Sequence, residues 1–318
     1  LLLLTRARAS ALLFGAAAGA ALPVPGRAQS GAQIRLATLP VEAAADAYYA
    51  RDMGFFTKAG IDVAIEPLQN SAAIVSAVVS NASDIGFSDI NALATAHQKG
   101  LPTVLIAPAA EYTFPATERI AAIVVPANSP ISVAKDLNGK IVAVLGVHGF
   151  QENAVRAWID QNGGDSSTCK FVELGDPAMP AALDAGRIDA ALVVEPFVGI
   201  AARNRRVLVY GFDSVAKDFL TTGWFATPQW AQANRDVVGR FAAAMRETAL
   251  WANANPAKSA DILNAYTKID PAVIATMTRV HWATQLTPAS IQPLVDLAAK
   301  YNGFPAFPAQ ELLPSLAR

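Results

Sequence analysis

The chain has 318 residues, 53% hydrophobic and 16% charged, with a formal net charge of −1. That length suits one large domain or two smaller ones with ample apolar content for a core. The charge balance gives no electrostatic reason to expect nucleic acid or an anionic membrane as a partner.

Arg6 and Arg8 precede an alanine-rich apolar run, Ala11 to Leu22, followed by Pro23, Pro25 and the small-x-small sequence Gly26-Arg27-Ala28. This is the pattern of a secretory signal peptide over residues 1–28, and the run is too short for a membrane-spanning helix. A start upstream of Leu1 is expected, and no Cys stands near the cleavage point for a lipid anchor. Cleavage removes Arg6, Arg8 and Arg27 and no acid from the formal −1, leaving −4. The single Cys169 excludes an internal disulfide and reads as a packed strand residue.

Beyond the leader, strand and helix patterns alternate. Gln33–Thr38 reads as a strand, Ala43–Met53 as a helix stopped at Gly54, and 55–60 as a turn. Ile61–Pro67 is a second strand, and Ser71–Val79 a buried helix with Asn70 or Ser71 as its N-cap. Asp84–Phe87, the helix Asp89–Gln98 and the strand Pro102–Ala107 complete a βαβαβαβ series, which predicts a parallel sheet with right-handed crossovers.

After the apolar run Ile120–Val125, a second series begins at Lys140–Leu145, an unbroken apolar strand of the kind covered on both faces. Gly146 and Gly149 bracket a turn, and the helical pattern Phe150, Ala154, Val155, Trp158, Ile159 follows. A helix N-terminus at the end of a parallel strand is where ligands collect in open α/β sheets. The series continues through Cys169–Leu174, Pro180–Ala185, Ala190–Val194, Phe197–Arg203 and Val207–Tyr210. Thr221–Ala226 reads as a strand returning to the first lobe. The remainder is helical: a long helix up to Pro256, then Ser259–Tyr266, Pro271–Gln285 and Pro288–Tyr301, and a proline-rich tail on the surface. The expected organisation is a leader at 1–28, lobe I from 29–122 with 226–318, and lobe II from 123–225. The fold class is α/β: two lobes, each a mainly parallel sheet flanked by helices, joined by two crossings, with a ligand cleft between them.

Catalytic signatures are sparse. The sequence has no G-x-x-x-x-G-K-[ST] and no G-x-G-x-x-G. His97, His148 and His281 are dispersed and belong to no H-E-x-x-H pattern. Gly86-Phe-Ser88 is half of a nucleophile elbow, but Ile90 stands where the second glycine is needed. No metal and no cofactor is expected.

Four stretches carry a family resemblance: YYARDMGFFTKAGIDV (48–63), SDIGF (83–87), SVAKDLNGK (132–140) and IDAALVVEP (188–196). On these the chain resembles the periplasmic substrate-binding proteins of ABC importers that take alkanesulfonates, taurine, nitrate and thiamine-pyrimidine precursors. The likeness runs over roughly residues 33–255. It implies a type II two-lobed binding fold and a periplasmic monomer whose partners are a small-molecule solute and an inner-membrane ABC permease with its ATPase, not nucleic acid. A fungal pyrimidine synthase of this fold carries a cysteine-rich motif that this chain lacks, so a binding role is expected in place of catalysis. An enzyme on the same fold, synthase-like or a lyase or hydrolase, is the alternative.

For the site, the resemblance and the topology together imply Leu39, Pro40, Asn70, Ser71, Ser88 and Asp89 in lobe I, and His148, Gly149, Phe150, Gln151 and Glu195 in lobe II. Tyr112 and Trp224 are candidate aromatic walls, with hinge packing the other reading of Trp224. Glu195 ends a buried strand before Pro196, so it either caps the next helix or accepts from a ligand amine. Two acids, Glu111 and Glu195, are expected to face the cleft. Helix N-termini favour anionic or acceptor groups and carboxylates favour amines or amidines. Such a mixture suits an amino sulfonate or an aminopyrimidine.

Overall fold

The computed structural model describes residues 33–314. The proposed leader and the last residues of the tail lie outside them. In chain order the first half runs β1 (Gln33–Thr38), α1 (Asp46–Asp52), α2 (Phe55–Lys58), β2 (Asp62–Pro67), α3 (Ser71–Val79), β3 (Ile85–Asp89), α4 (Ile90–Gln98), β4 (Val104–Pro108) and β5 (Ala110–Thr113). The middle holds β6 (Ala121–Pro126), β7 (Ile141–Val144), α5 (Phe150–Gln161), β8 (Lys170–Glu173), α6 (Met179–Asp184), β9 (Ala190–Val194), α7 (Phe197–Asn204) and β10 (Arg205–Tyr210). Then come β11 (Asp218–Leu220), β12 (Thr222–Ala226), α8 (Pro228–Ala233), α9 (Arg235–Ala254), α10 (Pro256–Thr267), α11 (Pro271–Ile274), β13 (His281–Trp282) and α12 (Pro288–Asn302).

Two five-stranded sheets result, ordered β2-β1-β3-β12-β4 and β10-β6-β9-β7-β8. In the first, β1 pairs in parallel with β2 and β3, as the βαβ rhythm requires. The sheet is mainly parallel, as expected, with β12 inserted antiparallel between β3 and β4. Its direction follows from its path. The chain re-enters this sheet at the cleft, with Thr222 paired to Asp89 at the C-terminal end of β3, and so runs away from the cleft. The second sheet repeats the device: β7 is parallel to β8 and β9, while β6 enters from the cleft end and runs antiparallel to β9 and β10.

A third sheet, β11-β5-β13, sits at the crossings between the other two. Its strands are two to four residues long, too short to leave a period in the sequence. Their pairing overrides the helix expected over 271–285: α11 stops at Ile274, and His281 and Trp282 pair with Glu111 and Ala110. The turn expected at 55–60 is instead a short helix, entered through Gly54 at φ +76. The tail is less superficial than expected, since Phe307, Ala309 and Leu312 are buried with α12 and α4.

One apolar cluster runs continuously behind both large sheets. It joins Leu105 and Phe225 of the first to Val142 and Leu192 of the second through Phe219, Ile291 and Leu294. A second cluster lies on the other face of the first sheet, where Phe241 and Met245 of α9 meet Trp224, Phe87 and Phe56. Cys169 is buried ahead of β8, its thiol within hydrogen-bond distance of the Leu137 carbonyl. No helix among the described residues is long and apolar enough to cross a membrane.

Candidate functional site

A cavity of about 610 Å³ opens where the C-terminal ends of β1, β3 and β9 converge with the start of β12. Strand ends and helix starts build it, so each lining residue follows from a local pattern. Leu39 and Pro40 follow β1, and Ser71 opens α3. Asn70 does not line the cavity: its Oδ1 accepts from the Ala73 amide at 2.9 Å as the N-cap of α3. Alternation along β3 sends Phe87 and Asp89 to the cavity and Ser88 to the opposite face, where Ser88 is fully buried and does not line the site. Asp89 caps α4 through the Ala92 amide at 2.8 Å, and burial pushes its carboxyl up.

The aromatic wall is made by Tyr112, Phe150 and Phe212. Tyr112 donates its hydroxyl to Asp213 at 2.7 Å, and burial raises its pKa. Phe150 packs on Phe212 with ring centroids 4.7 Å apart. The other expected wall is absent. Trp224 is wholly buried in the interior strand β12, on the face covered by α9, and donates Nε1–H to Asp46 Oδ2 at 3.0 Å. Its ring meets Phe87 and Phe241 edge-on. Trp224 is therefore packed in the core of the first sheet and does not line the cavity.

The strand–turn–helix at β7–α5 is partly closed by its own side chains. Gln151 Oε1 accepts from the Leu145 amide at 3.0 Å, and Glu152 Oε2 from the His148 amide at 2.7 Å. Glu152 is buried and paired with Arg156. Phe150 and Gln151 line the cavity, whereas His148 and Gly149 do not. His148 takes up a left-handed conformation, φ +61, with its carbonyl held by Asn302.

Glu195 does line the cavity. Its Oε1 accepts from the Thr278 amide at 3.1 Å, across from the segment after α11. Its Oε2 is buried without a hydrogen-bond partner among the described residues. Burial pushes the carboxyl up, opposed by the amides of Thr278, Gly199 and Val198.

Several lining residues escape the sequence analysis. Asp176 stands just past β8, in the strand-end position that could have flagged it. It is 5% exposed and its Oδ1 is buried without a partner among the described residues. Burial lifts its carboxyl to about 7, against the pull of the Val194 amide. Glu42 is buried and bound by Arg279, which also reaches the Tyr49 hydroxyl at 3.2 Å and Ser259 Oγ at 3.1 Å. Glu111, by contrast, is expected at the cleft from the sequence; it lines the cavity and is held by His281 Nδ1 at 2.9 Å. Lys268 and Asp270 arrive from the link between α10 and α11, for which no local signal exists. Among the described residues no cluster of three or more His, Cys, Asp or Glu could hold a metal ion.

Residues 43–259, over half of the chain, match the family model described as NMT1/THI5 like. The chain belongs to the NMT1/THI5-like family. No curated protein matches it. Among solved structures it is similar to the periplasmic aliphatic sulphonate binding protein SsuA from Escherichia coli, at 18% identity over 90% of this chain and 94% of that one, with a TM-score of 0.72. A ligand-binding component of an ABC-type import system from Staphylococcus aureus, with zinc bound, matches at 16% identity over 89% and 96%, with a TM-score of 0.73. The desulfurization enzyme DSZB matches at 14% identity over 89% and 96%, with a TM-score of 0.65. These likenesses establish the two-lobed α/β fold that this family member shares with binding proteins and with an enzyme. Function is therefore argued from the site.

Proposed function

We propose that this NMT1/THI5-like protein is a periplasmic solute-binding protein that captures a small organic molecule in the cleft and delivers it, as a monomer, to an inner-membrane ABC importer. One observation carries the reading: the 610 Å³ cavity is walled by aromatic and aliphatic side chains and carries a few convergent polar groups, most of them already held by the protein's own hydrogen bonds. Such a lining fits holding a ligand better than moving protons or bonds. The similarity to binding components of importers supports the same role.

The proposed lobes are 29–122 with 226–318, and 123–225, closing about the crossings near 120–126 and 220–227. The proposed contacts are Leu39, Pro40, Ser71, Asp89, Tyr112, Phe150, Gln151 and Glu195, which share the cavity. For Glu195 a double part is proposed: Oε1 ties the cleft to Thr278, and Oε2 accepts from the ligand.

The test is native mass spectrometry of the exported protein to identify a co-purified solute, followed by calorimetry and small-angle scattering with that solute. Binding without turnover and a smaller radius of gyration are expected. Conversion of the solute to product would overturn the binding reading in favour of an enzyme, and an unchanged radius would remove the hinge.

A further inference from the structure

Among the described residues, the charged side chains lining the cleft are Glu42, Asp89, Glu111, Asp176, Glu195 and Asp270, against Lys268 alone. Four of the acids are already engaged. Glu42 is bound by Arg279 and Glu111 by His281, while Asp89 and Asp270 cap helices through the Ala92 and Ala272 amides. Among the described residues two keep a buried oxygen without a hydrogen-bond partner, Oδ1 of Asp176 and Oε2 of Glu195, whose carboxyl also feels the Val198 and Gly199 amides of α7. A buried carboxylate oxygen without a donor is a cost to the fold, and it calls for a donor from outside the chain.

Both groups line the same cavity. The amide that acts on the Asp176 carboxyl belongs to Val194, the residue before Glu195. Around them Phe150, Phe197, Ile200 and Phe212 supply apolar walls. In the turn before α5, Gln151 and the buried Glu152 take the Leu145 and His148 N–H groups, so those two amides are closed to an anion, while the first turn of α5 itself has no side-chain cap.

We propose that Asp176 and Glu195 select a nitrogen cation, a protonated amine, amidine or aminoheterocycle on a flat apolar body, in preference to a sulfonate. Two N–H donors of the ligand meet the two carboxylates, as charge-assisted pairing favours. A sulfonate would set three anionic oxygens against a lining of carboxylates, and like charge at close range disfavours binding. The inference rests on the cleft being a solute site and narrows its ligand to one charge class.

The experiment uses the full exported chain. Benzamidine and 4-aminopyridine are the cationic probes, and benzenesulfonate and ethanesulfonate the anionic ones, each followed by thermal shift and calorimetry. The cationic probes are expected to raise the melting temperature in proportion to concentration, and the sulfonates to leave it unchanged. Asp176→Asn is expected to weaken the cationic probes at least tenfold while melting unliganded at or above wild type, since it removes a buried group with no cation to pair with. Glu195→Gln is expected to weaken them similarly. A shift by a sulfonate overturns the charge selectivity and leaves the solute-binding reading intact. Failure of both cationic probes to bind overturns the proposal. Wild-type affinity in Asp176→Asn removes Asp176 from the site. Turnover of a co-purified solute strikes the binding reading itself, so the two failures stay distinct.

Discussion

Replacing Trp224 by Phe tests the reassignment of that residue from cleft to core. Trp224 has no exposed surface, and its Nε1–H donates to Asp46, which is 2% exposed. The Phe variant keeps most of the ring packing against Phe87 and Phe241 but leaves Asp46 Oδ2 short of a donor. An unsatisfied buried acceptor costs roughly 1–3 kcal/mol, and the lost ring volume adds about 1–2 kcal/mol. We expect a loss of about 3 kcal/mol, a fall in melting temperature of roughly 6 °C for a chain of this size.

Burial lifts the Asp46 carboxyl to about 8 from an ordinary 3.8. The folded state therefore binds the proton more tightly than the unfolded one. The stability linked to it is fully present below about 4 and is lost as pH rises through about 8. Asp46→Asn keeps an acceptor for Trp224 and removes the titration, so its melting temperature is expected to fall less between pH 6 and 8 than that of wild type. Circular dichroism melts at the two pH values, with calorimetry of a bound probe, make the assay. A drop below 2 °C for Trp224→Phe, or a wild-type pH slope in Asp46→Asn, would refute the reasoning. A change in Kd beyond about threefold, or 0.7 kcal/mol, would return Trp224 to the cleft.

Three further perturbations probe the frame around the cleft. Arg279→Met strands the buried Glu42 and unties Tyr49 and Ser259; a loss of roughly 3–5 kcal/mol is expected from denaturant midpoints, largely restored by adding Glu42→Gln. Gly86→Ala would place a Cβ 2.7 Å from Ile74 Cγ2 and from the Phe225 ring; overpacking of about 1–3 kcal/mol should appear as a lower urea midpoint with an unchanged slope. Gly211→Ala sets a side chain at φ +74 and against the Tyr112 hydroxyl; the Tyr112–Asp213 bond is expected to break, with a melting loss and weaker binding measured together by thermal shift and calorimetry.

Much of the site was legible because strand ends and helix starts carry local signals. Leu39, Ser71, Asp89, Phe150, Gln151 and Glu195 all reach the cavity from such positions. The failures at the same positions have local causes too. Asn70 spends its side chain on a cap, Ser88 lies on the wrong face of an alternating strand, and the turn at His148 is closed by Glu152. Asp176 follows a strand as Glu195 does, flanked by Gly175 and Pro177, but unlike Glu195 it lies in none of the stretches that carry the family resemblance.

The sequence by itself determined the alternation of strand and helix over 33–226, down to Ser71–Val79 and Ala190–Val194 residue for residue, because hydrophobic period and capping act within a few residues. It also determined the two-lobed class, since βαβ units force mainly parallel sheets. Only the tertiary structure decided that β12 inserts antiparallel beside β3, that β5, β11 and β13 form a sheet at the crossings, and that Lys268 and Thr278 reach the cleft. Those arrangements rest on contacts between residues distant in the chain, and elements of two to five residues have no periodicity with which to announce them. Which carboxylates are paired with a cation is likewise a tertiary outcome, because a donor such as Arg279 reaches Glu42 from 237 positions away, and nothing near Asp176 or Glu195 in sequence records that no cation among the described residues pairs with them.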